Sequence, residues 1–121
     1  MTAKDYLKCC KHGVLILEKD FILPYMKRYH PSWLVDMVTD DLSDDRYRWI
    51  ADCHYAEGKT LKECANEEDI ECSYSHVKRL HNQMLVEVQE NINRMRASYD
   101  WFNAICEEME EIKEDKKWRP R

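Results

Sequence analysis

The segment "ECSYSHVKRLHNQML", residues 71–85, starts the longest helical signal in this chain. No glycine or proline occurs from Ser75 to Lys113, so the pattern predicts one helix of about 39 residues, roughly 58 Å long. Apolar residues recur in it at alternating steps of four and three, which is a heptad seam. The seam comprises Val88, Ile92, Met95, Tyr99, Phe102, Cys106 and Met109. It needs an apolar partner, either the first helix of the same chain or a second copy in a homodimer.

The first turns of this helix have two chemically different faces. Ser73 or Ser75 is suited to cap its start. One face of a helical wheel is apolar and the other polar and basic, with His76 and Gln83 at its edge. The apolar face carries Val77, Leu80, Met84 and Val88, and the polar face carries Ser75, Lys78, Arg79 and Asn82. The apolar face is expected to pack against a preceding helix, which leaves the basic face for a partner.

Shorter helical signals precede this segment. Thr2 begins a first helix of about 20 residues whose apolar stripe is spaced in threes and fours. That stripe contains Leu7, Cys10, Val14, Leu17 and Phe21. A short helix is expected near Ser32–Val38, and another begins after the cap Ser43 and ends at Gly58. Thr60 and Glu63 form a capping box, so a further short helix starts at Leu61.

These signals predict an all-α fold in one domain, residues 1–121. Residues 44–85 form a helix-turn-helix region embedded between the N-terminal helix and a long C-terminal helix, residues 86–113. A frayed tail, residues 114–121, follows. Ile70 is expected to anchor the turn of the helix-turn-helix in the core, and Trp33 and Trp49 are expected to be core residues.

Charge and composition limit the function. Lys and Arg number 19 against 24 Asp and Glu, a net charge of −5. Any DNA contact therefore has to come from a local basic patch. The sequence has no long apolar span and no secretion signal, so we expect no membrane partner and a cytoplasmic location in a bacterial host cell. The six cysteines are then expected to be reduced and to serve as small apolar residues.

No catalytic or metal-binding pattern stands out. The set Cys64, Cys72, His76 and His81 matches no strong zinc spacing. There is no glycine-rich phosphate loop, and no nucleophile has an orienting acid at a recognisable spacing. We therefore expect neither an enzyme nor a cofactor.

The segment "YAEGKTLKECANEEDIECSYSHVKRLHNQML", residues 55–85, resembles the region-4-like helix-turn-helix of bacterial sigma factors. It is most similar to the small sigma-like transcription regulators of phages and prophages, over residues 46–85. The resemblance implies a sequence-specific regulator that binds duplex DNA and allows contact with RNA polymerase. The implied DNA-binding residues are Thr60, Ser73, Tyr74, Ser75, His76, Lys78, Arg79, Asn82 and Gln83.

One departure from that family keeps a second function open. The turn "NEEDIEC", residues 66–72, is longer and more acidic than the family pattern and lacks its usual glycine. Acidic residues beside a DNA-reading helix repel phosphate. The alternative is a small acidic phage protein that uses the helix-turn-helix as a scaffold. Its target would be a host protein, either RNA polymerase or a nucleic-acid-cleaving defence enzyme.

Overall fold

The computed structural model describes residues 1–17 and 22–114, the last two by their backbone only. Those residues form helices joined by short turns, as the all-α prediction required. The helices are α1 (Ala3–Leu17), α2 (Pro31–Thr39), α3 (Asp45–Ala51), α4 (Leu61–Ala65), α5 (Tyr74–Ser98) and α6 (Asp100–Glu114). A 3₁₀ turn, Pro24–Lys27, precedes α2, and a π-helical segment, Asp52–Ala56, continues α3. Phe21 and residues 115–121 of the expected tail lie outside the described residues.

Local capping signals account for most of the helix boundaries. The Thr60 hydroxyl accepts a hydrogen bond from the Glu63 amide at 3.1 Å, and the Glu63 carboxylate accepts one from the Thr60 amide at 3.2 Å. This is the predicted capping box of α4. Gly58 follows the π-helical segment with φ +79°, a conformation that favours glycine. The expectation that Ser43 caps α3 is wrong, because the Asp44 carboxylate accepts from the Arg46 amide at 2.9 Å instead.

The larger of two buried clusters lies between α1, α2, α6 and the C-terminal half of α5. Its buried tyrosines have hydrogen-bond acceptors: the Tyr6 hydroxyl donates to the Leu34 carbonyl at 2.7 Å, and the Tyr25 hydroxyl to the Cys9 carbonyl at 2.8 Å. Gly13 lets α1 approach α2 closely, because a Cβ on it would lie 2.8 Å from Pro31 Cγ. Gly13 is therefore required for the close packing of α1 on α2, although a glycine also lowers the helix propensity of α1.

The smaller cluster fixes α4 and the first turns of α5 against α3. It consists of Ile50, Cys53, Cys64, Ile70, Val77 and Leu80. Ile70 is 4% exposed, which confirms that it anchors the turn. Because α5 contributes to both clusters, its N-terminal turns are positioned by one and its C-terminal half by the other.

The predicted continuous C-terminal helix is wrong. Tyr99 has extended backbone angles, φ −129° and ψ 114°, and separates α5 from α6. Beyond the break, α6 packs against α1, α5 and the 3₁₀ turn, and it buries Phe102, Ile105 and Met109 completely. Burying each large apolar side chain contributes about 1.5–3 kcal/mol. That gain exceeds the cost of losing one or two helical hydrogen bonds, at about 1 kcal/mol each.

Two tryptophans expected in the core are at the surface. Trp33 is 49% exposed and Trp49 is 38% exposed. The α2 positions that face the core are held by Leu34, Val35 and Val38, all fully buried. Helix periodicity then turns Trp33 outward, because residue 33 precedes this inward stripe by about 100° of rotation.

Candidate nucleic-acid interface

The N-terminal end of α5 presents the basic face that the sequence predicts. The Ser73 hydroxyl accepts from the His76 amide at 3.2 Å, so Ser73 is the cap rather than Ser75. No acidic residue lies in the first turn of this helix. The first helical amides and the lack of acids in this first turn favour an anion at this end of α5.

The division of α5 into two faces is confirmed. Val77 and Met84 are fully buried and Leu80 is 3% exposed. The opposite side is open, with His76 partly buried at its edge. Its exposed residues are Tyr74, Ser75, Lys78, Arg79, Asn82 and Gln83, beside the exposed cap Ser73.

Cationic side chains converge at this end of α5. Arg79 Nη2 is hydrogen-bonded to His76 Nδ1, and Arg46 Nη1 lies 3.4 Å from His76 Nε2. A neutral imidazole accepts a hydrogen bond at only one of its two nitrogens. One of the two guanidinium groups therefore faces a ring nitrogen that cannot accept from it. Ser73, Ser75, His76 and Arg79 line an open depression of about 230 Å³ beside these groups.

Arg46 is a member of this cluster that the sequence does not identify. It lies on α3, thirty positions before His76. Two side-chain contacts hold it, because its Nε and Nη2 donate to the Asp44 carboxylate at 3.2 and 2.8 Å. Hydrogen bonds from the Arg46 side chain, and then from its amide, hold the pKa of Asp44 below its usual range. No local pattern signals this meeting, because it arises from the packing of α3 on α5.

Other predicted DNA-binding residues have intramolecular contacts. Lys78 Nζ lies 4.7 Å from the ring centroid of Tyr74, a cation–π arrangement. Gln83 accepts a hydrogen bond from the Tyr47 hydroxyl at 3.1 Å. Thr60 does not line the depression, and its hydroxyl caps α4. The structure thus brings together the predicted residues of α5 but not Thr60.

Of the four acidic residues in the turn, Glu68 and Glu71 are exposed, and the other two face a cavity. Glu67 and Asp69 line a separate cavity of about 170 Å³, whose other walls include Trp49, Asp52 and Glu57. Lys59 Nζ lies 2.6 Å from the Glu67 carboxylate and 3.2 Å from that of Glu57. Burial, together with the negative charge of Asp36, raises the pKa of Asp52 to about 6. The Lys59 ion pairs partly offset the negative charges of Glu57 and Glu67.

The heptad seam proposed for dimerisation is largely internal. Met95 is half-buried and Tyr99 is 49% exposed. The other five members, Val88, Ile92, Phe102, Cys106 and Met109, are fully buried within the chain. Their burial is complete without a second copy, because the break at Tyr99 folds the second half of the seam back onto the first core.

The candidate zinc residues are engaged in other contacts. His81 Nε2 is 2.5 Å from the Tyr55 hydroxyl, and Cys72 Sγ donates to the Ile70 carbonyl at 3.0 Å. Within residues 1–17 and 22–114, no three His, Cys, Asp or Glu side chains converge as a metal site. Across that same part of the chain, no helix has both the length and the apolar character needed to cross a membrane.

Comparison with protein-family models, with curated proteins and with solved structures finds no match to this chain.

Proposed function

We propose that the protein is a DNA-binding transcription regulator in which α4, the acidic turn and α5 act as a helix-turn-helix. The observation that carries this proposal is the convergence of Arg46, His76 and Arg79 beside exposed serines at the N-terminal end of α5. A phosphate oxygen would accept the hydrogen bond that His76 cannot accept from Arg46. The helix amides and its dipole favour the same anion.

The exposed side chains of α5 divide into two roles in this proposal. Arg79 and Asn82 project from the second and third turns, and their planar polar groups suit the edges of guanine and adenine in the major groove. Lys78 and the serine hydroxyls would contact the DNA backbone, and Arg46 would do so from α3. Val77 and Leu80 hold the opposite side of the helix in the smaller cluster, so these groups sit on a fixed support.

A selection from randomised DNA duplexes tests this function. The variant Lys78→Ala/Arg79→Ala is compared with Lys4→Ala/Arg94→Ala, which removes the same two residue types from exposed positions elsewhere. The wild type should enrich a discrete sequence. The first variant should bind it at least about tenfold more weakly, because a bidentate base contact contributes about 1–3 kcal/mol of discrimination.

The control variant should stay within about twofold of the wild type in DNA affinity, because Lys4 and Arg94 lie outside the depression at the start of α5. The proposal fails if the folded wild-type protein enriches no sequence, or if the two variants lose the same affinity.

A second candidate is an acidic module that binds a basic surface of a host protein, such as RNA polymerase. The observation in its favour is the acidic cavity, where four carboxylates lie beside the exposed ring of Trp49. A Lys or Arg of a partner would find both carboxylates and an aromatic face there. Binding to purified polymerase that persists in Lys78→Ala/Arg79→Ala and disappears in Glu67→Gln/Asp69→Asn would favour this candidate.

A further inference from the structure

Arg46 reaches the start of α5 from the N-terminal end of a different helix, α3. Its Nη1 lies 3.4 Å from His76 Nε2, while Arg79 Nη2 is hydrogen-bonded to the other ring nitrogen, Nδ1. The two guanidinium groups therefore flank one imidazole from its two nitrogens. Ser73 and Ser75 lie with His76 and Arg79 around the open depression, so two helices contribute cationic groups to this end of α5.

Asp44 fixes the orientation of the Arg46 guanidinium. Arg46 Nε donates to Asp44 Oδ1 at 3.2 Å, and Arg46 Nη2 donates to Asp44 Oδ2 at 2.8 Å. Two parallel bonds between a planar guanidinium and a carboxylate restrict the rotation of both groups. They occupy one edge of the guanidinium, which leaves its Nη1 directed toward His76. Cys72 adds only the weak acceptor of a thiol.

Asp44 is itself held in place by the start of α3. Its Oδ1 accepts a hydrogen bond from the Arg46 amide at 2.9 Å, which makes Asp44 the N-cap of that helix. Helix α3 packs on α5 through the fully buried Ile50 and through the hydrogen bond from the Tyr47 hydroxyl to Gln83 at 3.1 Å. The position of the Arg46 side chain is thus determined by contacts that continue from the α3 cap to α5.

The charge of Asp44 and its contacts predict opposite effects on DNA binding. A carboxylate beside a phosphate site opposes binding through its charge alone. Asp45, the next residue, carries the same charge and is exposed, but the ion pair of Arg46 is with Asp44. If only charge mattered, the two acids would have similar effects. If the orientation of Arg46 matters, removing Asp44 weakens binding and removing Asp45 does not.

We propose that Asp44 is a positioning residue for DNA binding, which orients Arg46 so that Arg46 and Arg79 hold one backbone phosphate between α3 and α5. This inference rests on the proposed function. It adds that the phosphate is bound by two helices, and that an acidic residue strengthens the contact. A guanidinium that is already oriented loses less side-chain entropy when the phosphate binds.

Fluorescence anisotropy with the duplex that the wild type enriches tests this inference in a double-mutant cycle. Asp44→Asn preserves the helix cap, because asparagine caps as well as aspartate does, but it replaces one acceptor oxygen with a donor. It should weaken binding about threefold or more, although it removes a negative charge. The matched control Asp45→Asn removes the same charge and should bind as tightly as the wild type or more tightly. In the Arg46→Ala background, Asp44→Asn should cause no further loss.

Two further measurements separate positioning from general stability. Arg46→Lys keeps the charge but not the paired hydrogen bonds, so it should lose about as much affinity as Asp44→Asn. The Nε–Hε NMR signal of Arg46, recorded without DNA, should move toward that of an unpaired arginine in Asp44→Asn and stay in place in Asp45→Asn. Circular dichroism and the thermal midpoint establish that each variant is folded. If Asp44→Asn unfolds, Arg46→Lys takes its place in the comparison.

The outcomes separate this inference from the function on which it rests. A folded wild type that enriches no duplex overturns both. Binding by the wild type that is equally tight or tighter in Asp44→Asn, or in Arg46→Lys, overturns the positioning role alone. A loss in Asp44→Asn that persists in full in the Arg46→Ala background also overturns it, because Asp44 would then act through a group other than Arg46.

Discussion

His81 is a buried histidine whose protonation should couple folding to pH. It is 8% exposed, its Nε2 lies 2.5 Å from the Tyr55 hydroxyl, and the His54 ring stands perpendicular to it at 5.7 Å. Burial, followed by the charges of His54 and Lys4, lowers the pKa of His81 to about 4. In the unfolded chain the histidine pKa is about 6.5.

The sign of the effect follows from these two values. Between about pH 6.5 and pH 4 the unfolded chain binds more protons at this position than the folded protein. The stabilisation from neutral His81 is complete above the unfolded pKa and is lost as the pH falls through this window. If the full pKa shift applies, proton binding at His81 lowers the unfolding free energy by about 2.4 kcal/mol between pH 7 and pH 4.5. We expect about 2 kcal/mol, because the site is not fully shielded from water.

The assay compares urea unfolding of the wild type and of His81→Gln over this pH range. Glutamine can still accept a hydrogen bond from Tyr55 but does not titrate. Asp52 opposes the effect, since its folded pKa is raised to about 6 and its stabilisation grows as the pH falls. That contribution is common to both proteins and cancels in their difference. A difference in unfolding free energy that stays constant from pH 7 to pH 4.5 would refute the reasoning.

Three further predictions concern packing and capping. Gly13→Ala should lower the unfolding free energy by about 1–2 kcal/mol, because the clash with Pro31 outweighs the gain of about 1 kcal/mol in helix propensity; chemical denaturation would measure the loss, and stabilisation would contradict it. Phe102→Ala should lower the unfolding free energy by about 3–5 kcal/mol, because Phe102 is fully buried. Tyr99→Ala should change it by less than about 1 kcal/mol, because Tyr99 is half exposed. Equal losses would mean that the heptad seam is not buried within the chain. Thr60→Ala should lower the unfolding free energy by about 1 kcal/mol in the same assay, because it removes the α4 cap. Thr60→Ser keeps a capping hydroxyl, so its unfolding free energy should stay close to that of the wild type.

The candidate interface could be predicted only in part from the sequence. Lys78, Arg79 and Asn82 were assigned to one face because they follow a helical period from a serine cap, and both signals act within a few residues. Arg46 was missed because its position beside His76 depends on how α3 packs across α5. The tertiary structure also pairs Glu67 of the turn with Lys59 and places it at the cavity beside α3.

Local signals in the sequence account for most of the helices and for several of their ends. Three helix ends depend on residues within one or two turns of each other, so their energetics do not depend on the rest of the fold. They are the capping box of α4, the Ser73 cap of α5 and the glycine after the π-helical segment. The break at Tyr99 and the exposure of Trp33 arise from tertiary packing. The heptad spacing was compatible with one straight helix, but α1 and α2 provide a core into which α6 can bury its apolar side chains only by turning back. Long-range burial therefore outweighs local helix continuity at Tyr99, and the Tyr99 ring lies at the surface beside Trp101.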